Sequence, residues 1–110
     1  KDIKISTTAK GIFINCTSGD ARNRVYYNKK GRWVNTIKTY DNSKLAQDIR
    51  NLVTDAYPRF DIFGVVLEVH VGSKMAHLVL IENDKAWKRI KVVEGEMEEY
   101  EAYNKPRAGK

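Results

Sequence analysis

Between residues 22 and 40, basic side chains are interleaved with aromatic rings, and together the two types could bind a polyanion. The run contains no acid, so its formal charge of +6 equals that of the whole 110-residue chain. Lysine and arginine neutralise phosphates, and flat rings offer stacking faces for exposed bases. The side chains that we expect to bind nucleic acid here are Arg22, Arg24, Tyr26, Tyr27, Lys29, Lys30, Arg32, Trp33, Lys38 and Tyr40.

A second acid-free basic run covers residues 85–91 and also encloses a tryptophan. A duplex hides the faces of its bases whereas a single strand exposes them, so two such runs favour a single-stranded partner. The alternative is that the bases simply lie in solvent and the rings belong to the core. The side chains that this run adds to the predicted site are Trp87, Lys88, Arg89 and Lys91.

Three more side chains could do metal-assisted chemistry. Asp61, Glu68 and His70 lie on or beside a predicted strand, in an order similar to that of many metal-dependent nucleases. In those enzymes the carboxylates hold Mg²⁺ and a lysine stands where this chain has His70. His70 and His77 could also meet across a hairpin, but two ligands are too few for a closed zinc site. We therefore expect binding and no catalysis, with no metal and no cofactor, and keep the nuclease as an alternative.

The size and composition of the chain fit one compact domain. It is 42% hydrophobic and has a sequence pI near 9.5. Its one cysteine, Cys16, lies in an apolar run and cannot form an internal disulfide, which favours a reducing compartment. No apolar stretch reaches the ~18 residues that a membrane span needs, so no membrane partner is expected.

In the first part of the chain the pattern predicts strands. Residues 3–16 read as two short strands or as one strand bent at Gly11. Residues 22–40 read as a hairpin that turns between Asn28 and Gly31. The second arm of this hairpin can be arranged in two ways: either Trp33 and Ile37 point inward while Arg32, Lys38 and Tyr40 bind, or Trp33 is an exposed stacking ring.

After Asp41 the period of the apolar residues changes from two to 3.6, which predicts a helix over about 43–57. Its apolar stripe is Leu45, Ile49, Leu52, Val53 and Ala56. Three more strands are predicted at 62–72, 75–82 and 86–93, and the glutamate-rich residues that follow predict a frayed helix or a disordered tail.

The order of these elements resembles the OB-fold, a five-stranded Greek-key barrel with its helix between strands three and four. With the basic and aromatic strands, the chain is similar to single-stranded-DNA-binding proteins encoded by phages of Gram-positive bacteria, those of lactococcal phages included. The resemblance covers about residues 2–93, so we expect a nucleic-acid-binding domain at 1–93. The composition of residues 94–110 predicts an acidic, then basic, partly disordered tail.

The same resemblance implies a function. It is sequence-independent binding and protection of single-stranded DNA in phage DNA replication and recombination, in the cytoplasm of a bacterial host. A homo-oligomer, a dimer or a tetramer, is implied too, with replication or recombination proteins as possible partners. The residues are also compatible with an RNA-binding module, and with a phage inhibitor that binds a host protein.

Overall fold

The computed structural model describes residues 2–106, which form one antiparallel sheet of eight strands and one α-helix. The helix, α1, is Gln47–Ala56 and lies between β4 and β5. The strands are β1 Asp2–Thr8, β2 Gly11–Ser18, β3 Ala21–Asn28, β4 Trp33–Asp41, β5 Asp61–Val71, β6 Lys74–Glu82, β7 Ala86–Val93 and β8 Glu96–Asn104.

The strands pair in the order in which they follow one another in the chain, so the sheet is an open meander with β1 and β8 at its edges. The prediction of a mainly β fold with one helix is confirmed. The predicted five-stranded Greek-key barrel is wrong, because the sheet has eight strands and its helix follows the fourth. Short turns join all strands except β4 and β5, and a short turn brings a strand back beside its predecessor.

The acidic segment after residue 93 is not a frayed helix. Glu96–Asn104 forms β8, which pairs with β7 along its length. Its glutamates meet the bases of the second basic run: Lys88 Nζ lies 3.0 Å from Glu99 Oε1, and Arg89 Nε lies 2.9 Å from Glu101 Oε1. The backbone pairing holds the acidic strand beside the basic one, and the ion pairs neutralise two of the bases. Residues 107–110 of the predicted tail lie outside the described residues.

The helix begins close to where the sequence predicts. The Asp41 carboxylate accepts a 2.9 Å hydrogen bond from the Ser43 amide and so caps a short 3-10 helix at Asn42–Lys44, which precedes α1. Four of the five residues of the predicted stripe pack in or against the core, whereas Ala56 is exposed. The buried apolar core is Tyr40, Leu45, Val53, Val66, Val79, Ile81, Ile90 and Val92. No helix within residues 2–106 has the length and apolar character to cross a bilayer.

The core lies on one side of one half of the sheet. We call this side the helix side; it carries Val66, Val79 and Ile90, which pack beneath α1. We call the opposite side the open face. No helix covers β1–β3 among the described residues, and Ile5 on the helix side of β1 is 66% exposed. The first half of the sheet is therefore a single layer.

Replacing Ile90 by alanine is expected to lower the free energy of unfolding by about 2–5 kcal/mol, because the side chain is fully buried and its loss leaves a cavity. Ile5→Ala makes the same change on an exposed strand and is expected to cost less than about 1 kcal/mol. Urea unfolding followed by circular dichroism measures both. Equal losses would contradict a core confined to the second half of the sheet.

Candidate functional site

The first basic and aromatic run is divided between the two sides of the sheet. Successive side chains of a strand point to opposite faces. Arg22, Arg24 and Tyr26 of β3 therefore lie on the open face, and Tyr27 lies on the helix side, as the pairing of β3 with β2 confirms. Lys38 belongs to the helix side as well, opposite Glu68 of β5.

A β-bulge determines which way the side chains of β4, the second arm of the hairpin, point. Tyr26 pairs with Asn35 but Tyr27 pairs with Trp33, so β4 carries one extra residue at this point. Trp33 Nε1 donates a 2.8 Å hydrogen bond to Thr36 Oγ1 on the helix side, whereas Ile37 lies on the open face. Neither predicted arrangement placed these two side chains on opposite sides.

The remaining predicted binding residues are scattered too. Tyr40 is buried in the core, and Lys29, Lys30 and Arg32 lie in the exposed turn between β3 and β4. In β7, Trp87, Arg89 and Lys91 face the open side and Lys88 faces the helix side. The structure thus does not assemble the fourteen predicted side chains into one platform.

The open face of β5–β8 has an apolar floor that carries exposed rings. Its floor consists of Leu67, Val69, Leu78 and Leu80. Three rings stand at or beside this floor: Trp87 is 37% exposed, Tyr100 55% and Tyr103 59%. A bulge in β8 between Glu99 and Glu101 contributes Tyr100 to this face.

Charged groups of the open face are held against its rings. The Lys91 ammonium lies 6.0 Å from the centre of the Tyr100 ring, and the Lys105 ammonium lies 5.2 Å from the centre of the Trp87 ring. Lys105 also pairs with Glu82 at 2.9 Å. Such cation–π contacts and ion pairs restrict the long side chains and leave the rings in place.

The open face continues onto the first half of the sheet. The rings of Phe13 and Tyr26 stack with their centres 4.6 Å apart, and the Arg24 guanidinium lies 4.4 Å from the centre of the Phe13 ring. The Tyr26 hydroxyl donates a 2.9 Å hydrogen bond to the Lys10 carbonyl, which fixes its ring. Aromatic and arginine side chains therefore occur at both ends of the open face.

Sequence reasoning missed Tyr100 and Tyr103 because they lie among the glutamates of the predicted tail. The signal that could have found them is the pair of tyrosines in a stretch, residues 96–104, that has no proline or glycine, since aromatic residues favour strands. Tyrosine, tryptophan and arginine are the residues most enriched at the centres of protein interfaces. The open face thus has the composition of a binding surface for another protein.

A polar cluster lies on the helix side, at the border between the covered and bare halves. The Tyr40 hydroxyl donates a 2.6 Å hydrogen bond to Glu68 Oε2. His70 Nε2 lies 3.3 Å from Glu68 Oε1, and His77 Nε2 lies 3.6 Å from Glu68 Oε2. Burial, with the hydrogen bond to Glu68, raises the pKa of Tyr40.

The pKa of Glu68 results from opposed effects. Burial alone would raise the pKa of Glu68. Hydrogen bonds with Tyr40 and His70, together with the nearby His77 and Lys38, outweigh burial, so the pKa lies below its usual value. The carboxylate is thereby kept ionised, and it ties β4, β5 and β6 together.

The nuclease alternative finds no support in this geometry. Asp61 pairs with Glu82 at the far end of β5 from Glu68, and seven residues of strand at ~3.3 Å each separate them by roughly 20 Å. Within residues 2–106, no group of three or more histidine, cysteine or acidic side chains has an arrangement that could hold a metal ion. His70 and His77 both lie against Glu68.

No protein-family model and no curated protein matches the chain, but solved structures share its fold. A BLIP-like protein from Bacteroides fragilis is 13% identical with a TM-score of 0.70, over 94% of this chain and 74% of that one. DUF2874 family proteins from Bacteroides ovatus and Bacteroides uniformis cover the same 94% of this chain. The first is 15% identical with a TM-score of 0.68 over 76% of its own chain. The second is 14% identical with a TM-score of 0.64 over 78%. At this identity the similarity shows the fold alone.

These structures overturn the resemblance to phage single-stranded-DNA-binding proteins. The fold is that of DUF2874 and BLIP-like proteins and not of the OB-fold. Single-stranded DNA as partner, the role in replication and recombination, and the oligomer that the resemblance implied lose their basis with it. The misleading feature was the basic hairpin, whose strand alternation sends its rings to opposite sides of the sheet.

The polar cluster predicts a pH-dependent stability. The pKa of Glu68 is lower in the folded state than in the unfolded state, where it is about 4.3. Ionised Glu68 therefore stabilises the fold above the unfolded-state pKa, and this stabilisation is lost as the pH falls through the folded-state pKa. We expect Glu68→Gln to lower the free energy of unfolding by about 1–3 kcal/mol at neutral pH, because a hydrogen-bonded carboxylate is lost. The difference in the free energy of unfolding between the parent and Glu68→Gln should shrink below pH ~4.

Urea unfolding at neutral pH and at several acid values measures this deficit. Glu98→Gln, on an exposed carboxylate of β8, is the matched control and should show little deficit at any pH. A Glu68→Gln deficit that stays constant across the whole acid range would contradict the role given to the ionised carboxylate.

Proposed function

We propose that this chain is a protein-binding domain that holds a protein partner on its open face and acts by binding, without catalysing a reaction. The observation that carries the proposal is the exposure of Trp87, Tyr100 and Tyr103 at an apolar floor on a sheet face that no helix covers among residues 2–106. Exposed apolar surface of this kind marks interaction sites on proteins.

The chemistry of this face suits a protein surface better than a nucleic acid. The centre is apolar, formed by side chains such as Val69 and Leu78. A phosphate placed over this centre would give up hydration against apolar side chains, which is costly. The charged side chain that lies among these rings, Arg89, stands between Trp87 and Lys91 on β7 and is paired with Glu101. Arginine beside tyrosine and tryptophan is a common combination at protein interfaces.

The scaffold holds these side chains in place before binding. Tyrosine and tryptophan have two side-chain torsions each, so they lose little conformational entropy when a partner covers them. The strands beneath them are paired on both sides except at β8. A preorganised surface spends less free energy on ordering and leaves more for affinity.

The fold comparison supports the same choice of partner. One structural neighbour is called BLIP-like, and none of the three names refers to DNA. Among the functions compatible with the sequence, an inhibitor that binds a protein is the one that agrees with this fold. An RNA-binding function would need the predicted basic and aromatic side chains on one face. The sheet divides these side chains between its two sides.

Two tryptophans provide a matched test of the open face. Trp87 on the open face is 37% exposed, and Trp33 on the helix side is 39% exposed. Trp87→Ala is expected to raise the Kd for the partner by about 30-fold, the effect of losing about 2 kcal/mol at an interface hot spot. Trp33→Ala should leave the Kd within about threefold of the parent's, since surface positions outside an interface contribute little.

The partner is first obtained by photo-cross-linking from the open face, with a benzophenone introduced at Tyr103, and is then purified. Isothermal titration of that partner with the parent chain and the two tryptophan variants gives the Kd values. Circular dichroism confirms that both variants fold. The proposal fails if Trp33→Ala weakens binding as much as Trp87→Ala, or if the cross-linked material is nucleic acid.

A further inference from the structure

Two arginines lie side by side on the open face of the first half of the sheet. Arg22 and Arg24 are two residues apart on β3, so their side chains point to the same face. No carboxylate of residues 2–106 forms an ion pair with either guanidinium. Asp2 belongs to the same face but lies two strands away from Arg22, across Thr17, which is roughly 10 Å. The two arginines are therefore a local cluster of positive charge without a counter-charge in contact.

The side chains around these arginines are polar but carry no charge. A depression beside the two guanidinium groups is lined on this face by Asn15, Thr17 and Thr39. Asn15 pairs with Arg24 across the strands. Thr17 and Thr39 flank Arg22, one on each neighbouring strand. Amide and hydroxyl groups can donate hydrogen bonds to an oxyanion that guanidinium groups also bind, so this lining suits a carboxylate or a phosphate.

The guanidinium of Arg24 is held by the ring beneath it. It lies 4.4 Å from the centre of the Phe13 ring, and that ring stacks on Tyr26 with the ring centres 4.6 Å apart. A guanidinium over a ring is restricted in its motion and keeps N–H groups for an acceptor. These N–H groups form a planar fork that matches the two oxygens of a carboxylate. The ring stack thus prepares Arg24 for a bidentate contact.

The two arginines and the apolar floor of β5–β8 belong to one continuous face. A cross-strand row runs from Arg24 to Ile37 and on to Val69 of the floor. Two strand spacings of ~4.8 Å place Arg24 roughly 10 Å from Val69. A stable interface buries about 800 Å² on each partner, so a protein that covers the floor also reaches the arginines.

We propose that Arg22 and Arg24 bind aspartate or glutamate side chains of the protein partner, set roughly 10 Å from the apolar group that covers the floor. The inference rests on the function proposed above and specifies the chemistry of the partner, an apolar centre with carboxylates at one end. A protein carboxylate fits better than a nucleic-acid phosphate because the adjoining floor is apolar. A nucleic-acid backbone laid across that floor would bring a charge with every nucleotide, and desolvating those charges is costly.

The probes are two acetylated and amidated peptides, Leu-Leu-Ser-Gly-Glu-Glu and the same peptide with glutamine in place of both glutamates. In an extended chain three residues at ~3.3 Å each set the acids roughly 10 Å from the leucines. Nuclear magnetic resonance titration of the labelled chain gives the Kd and follows the Val69 amide and the Arg24 Nε–H group. At about 50 mM salt the glutamate peptide is expected to bind at least about fivefold tighter than the glutamine peptide. At about 500 mM salt the difference should fall below about twofold, because salt screens exposed charges.

Matched substitutions locate the acidic contact. Arg24→Gln is expected to raise the Kd of the glutamate peptide at least about threefold and to leave that of the glutamine peptide unchanged. Arg32→Gln removes the same charge from the exposed turn between β3 and β4 and should change neither Kd. Arg24→Lys keeps the charge but not the planar fork, so it should weaken the glutamate peptide nearly as much as Arg24→Gln.

Three results would overturn the inference: equal Kd values for the two peptides at low salt, equal effects of Arg24→Gln and Arg32→Gln, or tighter binding of a dT trinucleotide that Arg24→Gln weakens. The trinucleotide carries two phosphates to match the two glutamates, so that last result would assign the arginines to phosphate. Circular dichroism checks that each variant folds, and Arg22→Gln replaces a variant of Arg24 that does not.

The peptides and the cross-linked partner separate this inference from the proposed function. If Trp87→Ala weakens the partner and the two peptides bind equally, the protein-binding face stands and the carboxylate contact is wrong. If Trp87→Ala and Trp33→Ala weaken the partner equally, the proposed function is wrong. A preference for the glutamate peptide that Arg24→Gln abolishes would still assign a carboxylate site to the two arginines.

Discussion

The structure depends on one contact, the packing of α1 against the helix side of β4–β7. A single layer of antiparallel sheet cannot bury apolar side chains on its own, because both of its faces meet solvent. The ten-residue helix supplies the second layer, and the fully buried residues Val66, Val79 and Ile90 all lie beneath it. The remaining strands are held by pairing to this half, so within residues 2–106 β1–β3 extend from the core as a sheet without a second layer.

A one-sided core determines where binding chemistry can occur. Side chains of β7 alternate between the core and the open face, so the strand that buries Ile90 and Val92 also presents Trp87 and Lys91. The packing of one side holds the strand rigid, and the rigid strand positions the rings of the other side. A substitution in the core is therefore expected to disturb the open face through the strand backbone, although no core side chain reaches that face.

Local patterns in the sequence predicted most of the elements but not their arrangement. The change of period after Asp41 found the helix and its stripe, because periodicity records which face is buried. The predicted barrel was wrong because a Greek key needs pairing between strands that are distant in the chain, whereas here each strand pairs with its neighbour in sequence. β8 was missed because its glutamates suggested a solvated tail, whereas in the fold two of them pair with Lys88 and Arg89. The face of the sheet on which Trp33 lies was not predicted, because it depends on a one-residue bulge in β4.

The basic runs show why charge in a sequence is an incomplete guide to a partner. A run of lysine and arginine attracts a polyanion only when the fold leaves its charges together and unpaired. In β7 the fold divides the run between two sides and sets glutamates of the next strand against Lys88 and Arg89. In β3 and β4 the same alternation separates Arg24 from Lys38. The rings Trp87, Tyr100 and Tyr103 do stay exposed on one side, and the surface proposed to bind a partner is built on those rings and not on the net charge.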